Sequence, residues 1–285
     1  MKTVLDILNT TTDFFKKKEV PDPRLDAQYL LAFGLKMKRM DLYLNFDRPL
    51  SEPELELLRP LVARRAKREP LQHIIGTTSF RGHEIKCDSR ALIPRAETEM
   101  LIDLVRGKTE TQEALLLADI GTGTGAIAIA LAKELKFPKV FAADISSEAL
   151  LLAKENVAAN ALEDQVQLFQ GNLLEALPAG EKLHGLVSNL PYIPEGEREN
   201  LQAEVRLFDP ALALFSGEDG LDLIRELLHQ TENRLLPGAF VLLEIGSGQE
   251  KLLEAECANY PWLRFEGSHS DFYGNVRFVE YSVNV

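Results

Sequence analysis

The stretch DIGTGTGA, Asp119–Ala126, decides the fold class of this chain. It shares its aspartate with the apolar run LLLAD at 115–119, and it leads into the apolar stretch AIAIALAKEL at 126–135. Glycine at alternate positions lets the backbone turn tightly and lets a ligand approach where a Cβ atom would block it. A strand, a glycine loop and a helix in this order predict an open α/β sheet with a ligand crevice beside the loop.

The same alternation of apolar runs and helical patterns continues downstream. Further candidate strands lie at 139–144, 166–170, 184–188 and 239–245, and further candidate helices lie at 147–160 and 219–236. Continuous apolar strands separated by helices predict a mostly parallel α/β sheet that is covered on both faces. The last two candidate strands, 263–267 and 276–283, are joined by a loop too short for a helix, so we expect an antiparallel hairpin at the end of the sheet.

Residues 1–74 predict a small helical domain, because they show helical periodicity and no strand-like alternation. The segment RLDAQYLLAFGL, Arg24–Leu35, places four large apolar side chains on one side of a helix, and Gly34 is a stop signal. These four side chains are Leu25, Tyr29, Leu30 and Phe33.

A different pattern occupies residues 75–93. The stretch GTTSFRGHEIKCDS predicts a β-hairpin with its turn near Gly82. The next segment, ALIPRAETEMLIDLV at 91–105, predicts a strand end followed by a helix. The expected organisation is therefore a helical domain at 1–74, a hairpin linker at 75–93 and an α/β domain at 94–285.

The composition excludes several classes of protein. The chain has 285 residues, 45% of them hydrophobic. It lacks a run of about 18 apolar residues, so we expect no membrane span. Its start, MKTVLDILNTTTDFF, lacks the apolar core of a signal peptide, and its two cysteines, Cys87 and Cys257, are far apart. These features predict a cytoplasmic protein without a disulfide framework, and the absence of zinc-type Cys/His spacing gives no reason to expect a metal.

The charge is distributed unevenly along the chain. The net charge is −12, with 17 basic against 13 acidic residues in 1–90, a net +4, and −16 in the remainder. An acidic body argues against a general nucleic-acid-binding protein, whose affinity depends on neutralising phosphates. The basic run RRAKR, Arg64–Arg68, fits an acidic partner or, more simply, a solvated helix face.

The charge of the glycine loop narrows the choice of ligand. Gly121, Gly123 and Ala126 also match the dinucleotide fingerprint with alanine in the third place, so a nicotinamide or flavin cofactor is an alternative. The carboxylate of Asp119 would repel phosphates and suits a cationic methionine moiety. Asp144, at the end of the next strand, can accept both hydroxyls of an adenosine ribose. We therefore expect S-adenosylmethionine as the cofactor.

Eleven residues are expected to surround this cofactor. They are Asp119, Gly121, Thr122, Gly123, Thr124, Gly125, Asp144, Ile145, Asn172, Leu173 and Asn189. Asn172 follows the third strand of the series, where an amide can meet the adenine edge, although a plain turn residue is nearly as good an interpretation. Because parallel strands end at one edge of a sheet, we expect these residues to converge on one crevice.

The stretch SNLPYIP, Ser188–Pro194, follows the fourth candidate strand and so reaches the same edge of the sheet. Asn189 Oδ1 and the backbone carbonyl of Leu190 can each accept one N–H of a planar NH2 group, which aims its nitrogen at a methyl donor. Pro191 restricts residue 190 to extended conformations, and Tyr192 offers a ring for the planar group to lie against. We expect Asn189, Pro191 and Tyr192 to be catalytic. We expect the same three residues, together with Leu190, to bind the substrate. A strand-to-loop turn is the alternative for this stretch alone.

These motifs together resemble those of the protein-(glutamine-N5) methyltransferases that modify peptide-chain release factors. The resemblance covers nearly the whole chain, and its most specific part joins ALIPRAETEMLID, DIGTGTGAIAIALA and SNLPYIP to LLEIGSGQ and NVRFV. It implies a seven-stranded, Rossmann-like S-adenosylmethionine-dependent methyltransferase sheet, an N-terminal helical domain that helps to dock the substrate, and a hairpin linker. It also implies methyl transfer to the glutamine of the Gly-Gly-Gln motif of a release factor. We further expect a monomer that binds no nucleic acid stably.

Five positions depart from the usual pattern of that family. Leu190 replaces the first proline of Asn-Pro-Pro-Tyr, which removes a fixed φ but keeps the backbone carbonyl. Ala96 stands where proline is common and His73 where tyrosine is usual. Asn172 replaces a usual aspartate and Leu173 a usual aromatic residue, so weaker packing of adenine is expected. None of these changes removes a group that the chemistry demands.

Leu190 also supports a rival interpretation. Asn-Leu-Pro-Tyr resembles the motif of ribosomal-RNA adenine dimethylases, and N6 of adenine is another planar NH2 group. The alternative function is therefore N6-adenine methylation of RNA or DNA, which the N-terminal helices, the IPRAETE segment and the acidic body disfavour. A non-catalytic adapter is a third interpretation, against which the intact Asp119, Asp144 and Asn189 argue.

Two features stay open. The segment EGERENLQAEVRLFDP, 195–210, is long, charged and without a helical or strand pattern, so it fits a lid over the crevice and a solvated loop equally well. Glu97, Glu99 and Glu244 fit either groups behind the site or surface charges.

Overall fold

The computed structural model divides into two compact units, one helical and one built on a large sheet. The helical unit comprises Met1–Thr77 and Gln202–Phe208, and the sheet unit comprises Thr78–Leu201 and Asp209–Val285. The residues that the structure describes are 2–109, 114–136 and 138–284.

The first unit consists mainly of short helices, as predicted. Those in its N-terminal part are α1 (Val4–Lys17), α2 (Pro23–Gly34), α3 (Arg39–Leu44), α4 (Glu52–Ala66) and α5 (Leu71–Ile75). The start of α1 is fixed by Thr3 and Asp6, which exchange side-chain-to-backbone hydrogen bonds. The helices bury their apolar faces in one core that includes Leu8, Phe15 and Leu42.

Helix α2 buries a different side from the apolar stripe that its sequence predicts. Leu25, Tyr29 and Phe33 are 41%, 39% and 44% exposed, whereas Leu30 is fully buried. The core-facing side continues with Leu31. Helical spacing identifies an apolar stripe, but in a helix with two such stripes the packing partners decide which one is buried.

Helix α9 (Ala203–Phe208) belongs to the helical unit, where a partly buried ion-pair cluster holds it. Arg65 donates from Nε to Asp26 at 2.6 Å and from Nη2 to Glu204 at 2.9 Å. Arg68 donates to both carboxylate oxygens of Glu204, at 2.7 and 2.6 Å. Part of the basic run RRAKR therefore binds an acidic side chain of the same protein.

In the part of the chain that is described, the second unit is built on a seven-stranded sheet. Its strands are β3 (Leu116–Ile120), β4 (Lys139–Asp144), β5 (Val166–Gln170), β6 (Leu183–Ser188), β7 (Leu235–Glu244), β8 (Leu263–Ser270) and β9 (Val276–Val283). The spatial order is β5-β4-β3-β6-β7-β9-β8. The first five strands are parallel, and β9 pairs antiparallel with both β7 and β8. The predicted parallel sheet with a terminal antiparallel hairpin is confirmed.

Helices pack on both faces of this sheet, as its alternating side chains require. They are α6 (Met100–Thr109), α7 (Ala126–Glu134), α8 (Ser147–Ala159), α10 (Asp222–Gln230) and α11 (Glu250–Glu256). Leu117 joins the core that contains Ile129 of α7, and its neighbour Ala118 joins the core that contains Leu227 of α10. None of the helices in the described residues is long and apolar enough to cross a membrane.

The hairpin predicted within 75–93 is confirmed. It pairs β1 (Thr77–Phe80) with β2 (His83–Lys86). Arg81 and Gly82 form its turn with φ of +53° and +79°. Two-residue turns with positive φ match the twist of antiparallel strands, so the glycine that marked the turn in the sequence also makes it.

Three other predictions are wrong in detail. The helix predicted at 219–236 ends at Gln230, and the positive φ of Asn233, +59°, precedes the start of β7. The strand end predicted at 91–93 is irregular backbone. The segment 195–210 does have regular structure, since a 3-10 helix at Glu195–Asn200 precedes α9.

Candidate active site

The carboxyl ends of three neighbouring strands form the candidate site. Strand β3 lies between β4 and β6, with Ile120 in register with Ala143 on one side and with Ser188 on the other. The glycine loop therefore leaves the sheet where the strand order reverses, the usual place for a ligand crevice in open α/β sheets. Asp144 ends one flanking strand and Asn189 follows the other, so they lie on either side of the loop.

The glycine loop adopts a backbone that favours glycine at three positions. Gly121, Gly123 and Gly125 have φ of +75°, +54° and +82°. The backbone N–H groups of Gly121 and Thr122 both donate to Ala143 O, at 2.9 and 3.0 Å. The loop is therefore tied to the end of the neighbouring strand β4.

Asp119 lies beneath the glycine loop and is fully buried. Its Oδ2 accepts hydrogen bonds from Thr122 Oγ1 at 2.6 Å and from Ala128 N at 3.1 Å. Its Oδ1 has no hydrogen-bond partner among the described residues. Burial raises the pKa of Asp119 to about 7, against the effect of its two hydrogen bonds. The unpaired oxygen is a candidate acceptor for an ammonium group, and its contact with the cofactor stays a prediction.

Asp144 presents its carboxylate at the same loop. Its Oδ2 accepts from Gly123 N and its Oδ1 from Ser146 N, both at 2.9 Å. Burial raises the pKa of Asp144, and the backbone hydrogen bonds oppose that shift. Each carboxylate oxygen has a second lone pair, so both can still accept a hydroxyl of a ligand.

A cavity opens over these strand ends and is lined by nine of the eleven residues predicted for the cofactor. These nine are Gly121, Thr122, Gly123, Thr124, Asp144, Ile145, Asn172, Leu173 and Asn189. Asp119 and Gly125 are not part of the lining. Of the predicted substrate residues, Leu190 and Pro191 also line the cavity, whereas Tyr192 does not.

The two residues predicted to meet adenine are both part of the lining of this cavity. Asn172 donates from Nδ2 to Glu226 of α10, and this hydrogen bond holds its side-chain amide. Leu173 is buried and has a positive φ of +49°. Ile145 is 55% exposed at the rim. Their contacts with a bound cofactor stay predictions.

Asn189 is held by the nitrogen end of its side chain. Its Nδ2 donates to Thr98 Oγ1 at 3.1 Å, and Thr98 Oγ1 donates to Glu244 Oε2 at 2.6 Å. Thr98 and Glu244 are both buried. This anchoring turns the oxygen end, Oδ1, away from Thr98 and makes it available to a ligand in the cavity.

The residues that follow Asn189 are fastened to the sheet unit at several points. Tyr192 donates its hydroxyl to Glu244 Oε1 at 3.1 Å, and Gln249 Nε2 donates to the backbone carbonyl of Tyr192 at 2.9 Å. The backbone of Ile193 bonds to Leu214 at 3.0 Å. Burial raises the pKa of Tyr192 above its usual range, so its hydroxyl stays protonated. Stacking of a substrate on its ring stays a prediction.

Leu190, the departure from the family motif, packs on the glycine loop. Its side chain is buried, and a Cβ atom added to Gly121 would lie 2.9 Å from Leu190 Cδ2. We expect Gly121→Ala to lower the free energy of unfolding by about 2 kcal/mol, since it combines this collision with a strained φ. It should also weaken cofactor binding.

Chemical denaturation and calorimetry measure these two effects. Adding Leu190→Ala should recover the steric part of the loss and leave the part due to φ. Unchanged stability of the single variant would contradict the close packing of Leu190 on the loop.

The sequence interpretation missed two residues of the site and left a third undecided. The sequence alone gives no role to Thr98 or Gln249, and it leaves Glu244 as either a surface charge or a group behind the site. The signal for them lay in IPRAETE and LLEIGSGQ, two motifs that carried the family resemblance. Glu99, by contrast, accepts the backbone N–H of Arg81 at 2.8 Å and so supports the hairpin.

The cavity suits a cationic sulfonium ligand better than a dinucleotide. Of the two carboxylates bonded to the glycine loop, that of Asp144 lines the cavity and that of Asp119 lies buried beneath the loop. The arginines of the lining, Arg90 and Arg95, are each hydrogen-bonded to an aspartate. Among the described lining residues, no cation is left unpaired to neutralise a pyrophosphate.

Two protein families match consecutive parts of the chain. Residues 6–76 match the PrmC N-terminal domain, and residues 96–242 match the methyltransferase small domain. The release factor glutamine methyltransferase of Geobacter sulfurreducens is 40% identical over 247 residues, which are 87% of this chain and 85% of the relative. The enzyme of that name from Rhodopirellula baltica is 39% identical over 265 residues, 90% of each chain.

Solved structures agree on the fold. The hMettl16 catalytic domain, solved with the MAT2A 3′UTR hairpin 6, superposes with a TM-score of 0.58 over 79% of this chain and 84% of that chain. Its 18% identity makes this a likeness of fold alone. These comparisons confirm the predicted fold class, the predicted methyltransferase and S-adenosylmethionine as its cofactor. The chain belongs to the family of release factor glutamine methyltransferases.

Proposed function

We propose that this protein transfers a methyl group from S-adenosylmethionine to the side-chain amide nitrogen, N5, of the glutamine in the Gly-Gly-Gln motif of peptide-chain release factors. The observation that carries the proposal is the anchoring of Asn189 through its nitrogen, beside the cavity that the glycine loop lines. The names of the relatives from Geobacter sulfurreducens and Rhodopirellula baltica support a protein substrate over adenine.

The glycine loop and two carboxylates would hold the cofactor. Asp144 would accept hydrogen bonds from the ribose hydroxyls, and Asp119 Oδ1 would accept a hydrogen bond from the ammonium group of the methionine moiety. Gly121 to Thr124 supply backbone that a ligand can approach closely. When bound, S-adenosylmethionine supplies a methyl group on a positively charged sulfur, which makes that methyl carbon electrophilic.

Asn189 and Leu190 would prepare the acceptor nitrogen. An amide nitrogen is a poor nucleophile, because its lone pair is delocalised into the neighbouring carbonyl. Asn189 Oδ1 and the backbone carbonyl of Leu190 would each accept one of its two N–H groups and fix the face of the amide that meets the donor. Positioning of this kind reaches effective molarities of roughly 10⁵–10⁸ M.

The proton balance of this scheme requires no dedicated general base. The nitrogen lone pair would form the new N–C bond while the bond from the methyl carbon to sulfur breaks and leaves its electron pair on sulfur, so the donor becomes a neutral thioether and the nitrogen becomes cationic and strongly acidic. It then releases one proton to water, so the product is a neutral N-methylamide. Glu244, the acid behind the site, is already engaged with Thr98 and Tyr192 and is given no proton-transfer role.

The helical residues 1–74 are proposed to dock the release factor, with 75–93 as linker and 94–285 as the catalytic domain. Exposed apolar side chains on α2, namely Leu25 and Tyr29, support a protein partner for this region. The net charge of −12 supports a protein that forms no stable complex with nucleic acid. We further propose a cytoplasmic monomer.

Incubation with tritium-labelled S-adenosylmethionine tests the substrate class. We expect label on release factor, and mass spectrometry should find one added methyl group on the motif glutamine. A release factor with alanine in place of that glutamine is the matched control and should stay unlabelled. Label on RNA would support N6-adenine methylation instead, and tight release-factor binding without any label would support an adapter.

A further inference from the structure

Three polar side chains, two buried and one half-buried, form a hydrogen-bonded group behind Asn189. Glu244 lies at its centre, with Thr98 bonded to Oε2 at 2.6 Å and Tyr192 bonded to Oε1 at 3.1 Å. Thr98 and Glu244 are 4% and 3% exposed. The catalytic scheme uses the oxygen of Asn189 and gives none of these three groups a chemical step, so their arrangement needs a separate explanation.

The arrangement fixes the direction of every hydrogen bond in the group. An ionised carboxylate only accepts hydrogen bonds, so Thr98 must donate its single hydroxyl proton to Glu244. Thr98 Oγ1 then has only lone pairs left for Asn189, and these accept from an N–H and repel a carbonyl oxygen. Asn189 must therefore turn Nδ2 to Thr98, at 3.1 Å, and cannot present Oδ1 there.

We propose that Thr98 and Glu244 are positioning residues that hold the Asn189 carboxamide in the one orientation that presents Oδ1 to the acceptor amide. The inference rests on the proposed function, because the role of Oδ1 comes from it. Without this control, a carboxamide can rotate by half a turn and place its NH2 group in the cavity, where it would repel an N–H donor. Thr98 lies in the short turn just before α6, Asn189 directly follows β6, and Glu244 is the last residue of the neighbouring strand β7. Two of the three side chains are therefore fixed at adjacent strand ends.

The charge of Glu244 adds a dependence on pH to this geometry. Burial raises the pKa of Glu244 to about 7, and the negative charge of Glu97 acts in the same direction. The hydrogen bonds from Thr98 and Tyr192 and the positive charge of Arg277 oppose that rise in pKa. Once protonated, Glu244 can itself donate to Thr98, which then can donate to Oδ1 of Asn189. The orientation of Asn189 is therefore controlled above about pH 7 and is lost as the pH falls through that value.

Two substitutions break the control while keeping the size of the side chain. Thr98→Val removes the hydroxyl, and Glu244→Gln introduces an NH2 group that can reverse the chain of hydrogen bonds. For each we expect kcat with a release-factor substrate to fall about tenfold at pH 8.5, the equivalent of about one well-placed hydrogen bond. Thr98→Ser restores the hydroxyl and should recover most of that loss.

A merely structural role would give a different pattern. Glu244→Gln removes a carboxylate whose ionisation is disfavoured by burial, so its melting temperature at pH 8.5 should not fall below that of the wild type. The affinity for S-adenosylmethionine, measured by calorimetry, should stay within about threefold in both variants. The acid limb of the kcat profile near pH 7 should disappear in Glu244→Gln and persist in Thr98→Ser.

A measurement without turnover isolates the orientation itself. The side-chain NH2 resonances of Asn189, identified by their absence in Asn189→Ala, can be followed by ¹⁵N NMR in the cofactor-free protein. We expect them to shift between pH 8.5 and pH 6 in the wild type, to shift much less in Thr98→Val, where Glu244 still titrates but no hydroxyl links it to Asn189, and not to shift in Glu244→Gln. Resonances that titrate alike in all three proteins, or a kcat unchanged in both variants, would overturn the inference.

The proposed function is tested separately in the same series. If the wild type places no methyl group on release-factor glutamine, the proposed function fails, whatever the NMR result. If the wild type methylates glutamine and the two variants retain its kcat and its pH profile, the function holds and the positioning role of Thr98 and Glu244 fails.

Discussion

Replacing Asn189 by alanine is expected to lower kcat by roughly 100-fold or more, because misplacing a reacting group by about 1 Å already costs that much. The variant loses the side-chain acceptor that would hold one N–H of the amide, and only the backbone carbonyl of Leu190 remains. The dissociation constant of S-adenosylmethionine should change by no more than a few-fold, since Asp144 and the glycine loop are untouched.

Single-turnover kinetics and calorimetry separate the two quantities. Asn259, an exposed residue of the same type in the sheet unit, offers the control substitution, and Asn259→Ala should leave both unchanged. Equal losses of turnover and cofactor affinity in Asn189→Ala would contradict the role given to Asn189.

Replacing Asp144 by alanine is expected to act on cofactor binding instead. Two hydrogen bonds from ribose hydroxyls to a charged acceptor would be lost, about 3 kcal/mol or roughly 100-fold in the dissociation constant. The same carboxylate accepts from the backbone of Gly123 in the glycine loop and of Ser146 after β4, so the loop would also lose one of its supports.

The matched control for Asp144 is Asp164, an exposed aspartate just before β5. Asp164→Ala should bind S-adenosylmethionine like the wild type. At saturating cofactor, Asp144→Ala should recover most of its turnover. An affinity unchanged by Asp144→Ala would remove Asp144 from the cofactor site.

The sequence predicts the sheet and the position of the site well, for physical reasons. Continuous apolar strands alternating with helices have few architectures available, and the glycine loop marks the strand at which the order reverses. Strand ends alone place Asp144 and Asn189 at the same edge of the sheet as that loop, and the strand order of the structure puts them on either side of it. Nine of the eleven predicted cofactor residues line one cavity as a result.

What the sequence could not give depends on contacts between distant segments. Thr98 and Glu244 are 146 positions apart, and only the packing of residue 98 against the end of β7 brings them together. The length of β7 was also hidden, because its first half contains Pro237 and Gly238 and pairs irregularly with β6. Because proline and glycine are typical of turns, the sequence pattern at the start of this strand predicts the end of a helix and a turn instead.

Periodicity also failed where two interpretations share one pattern. Helix α2 has an apolar stripe at Leu25, Tyr29 and Phe33, yet Leu30 and Leu31 face the core. Helix α9 is charged and short, so neither the spacing of its apolar residues nor its length predicts a helix. It is held by Glu204, whose two arginine partners lie more than 130 residues away in the chain.

A crystal structure with S-adenosylhomocysteine and a glutamine-containing peptide of the release-factor motif tests the central claim most directly. It should show the glutamine amide nitrogen within hydrogen-bond distance of both Asn189 Oδ1 and Leu190 O, with the open face of the nitrogen toward the sulfur. An amide nitrogen bound elsewhere, or Asn189 Oδ1 directed away from the peptide, would contradict it.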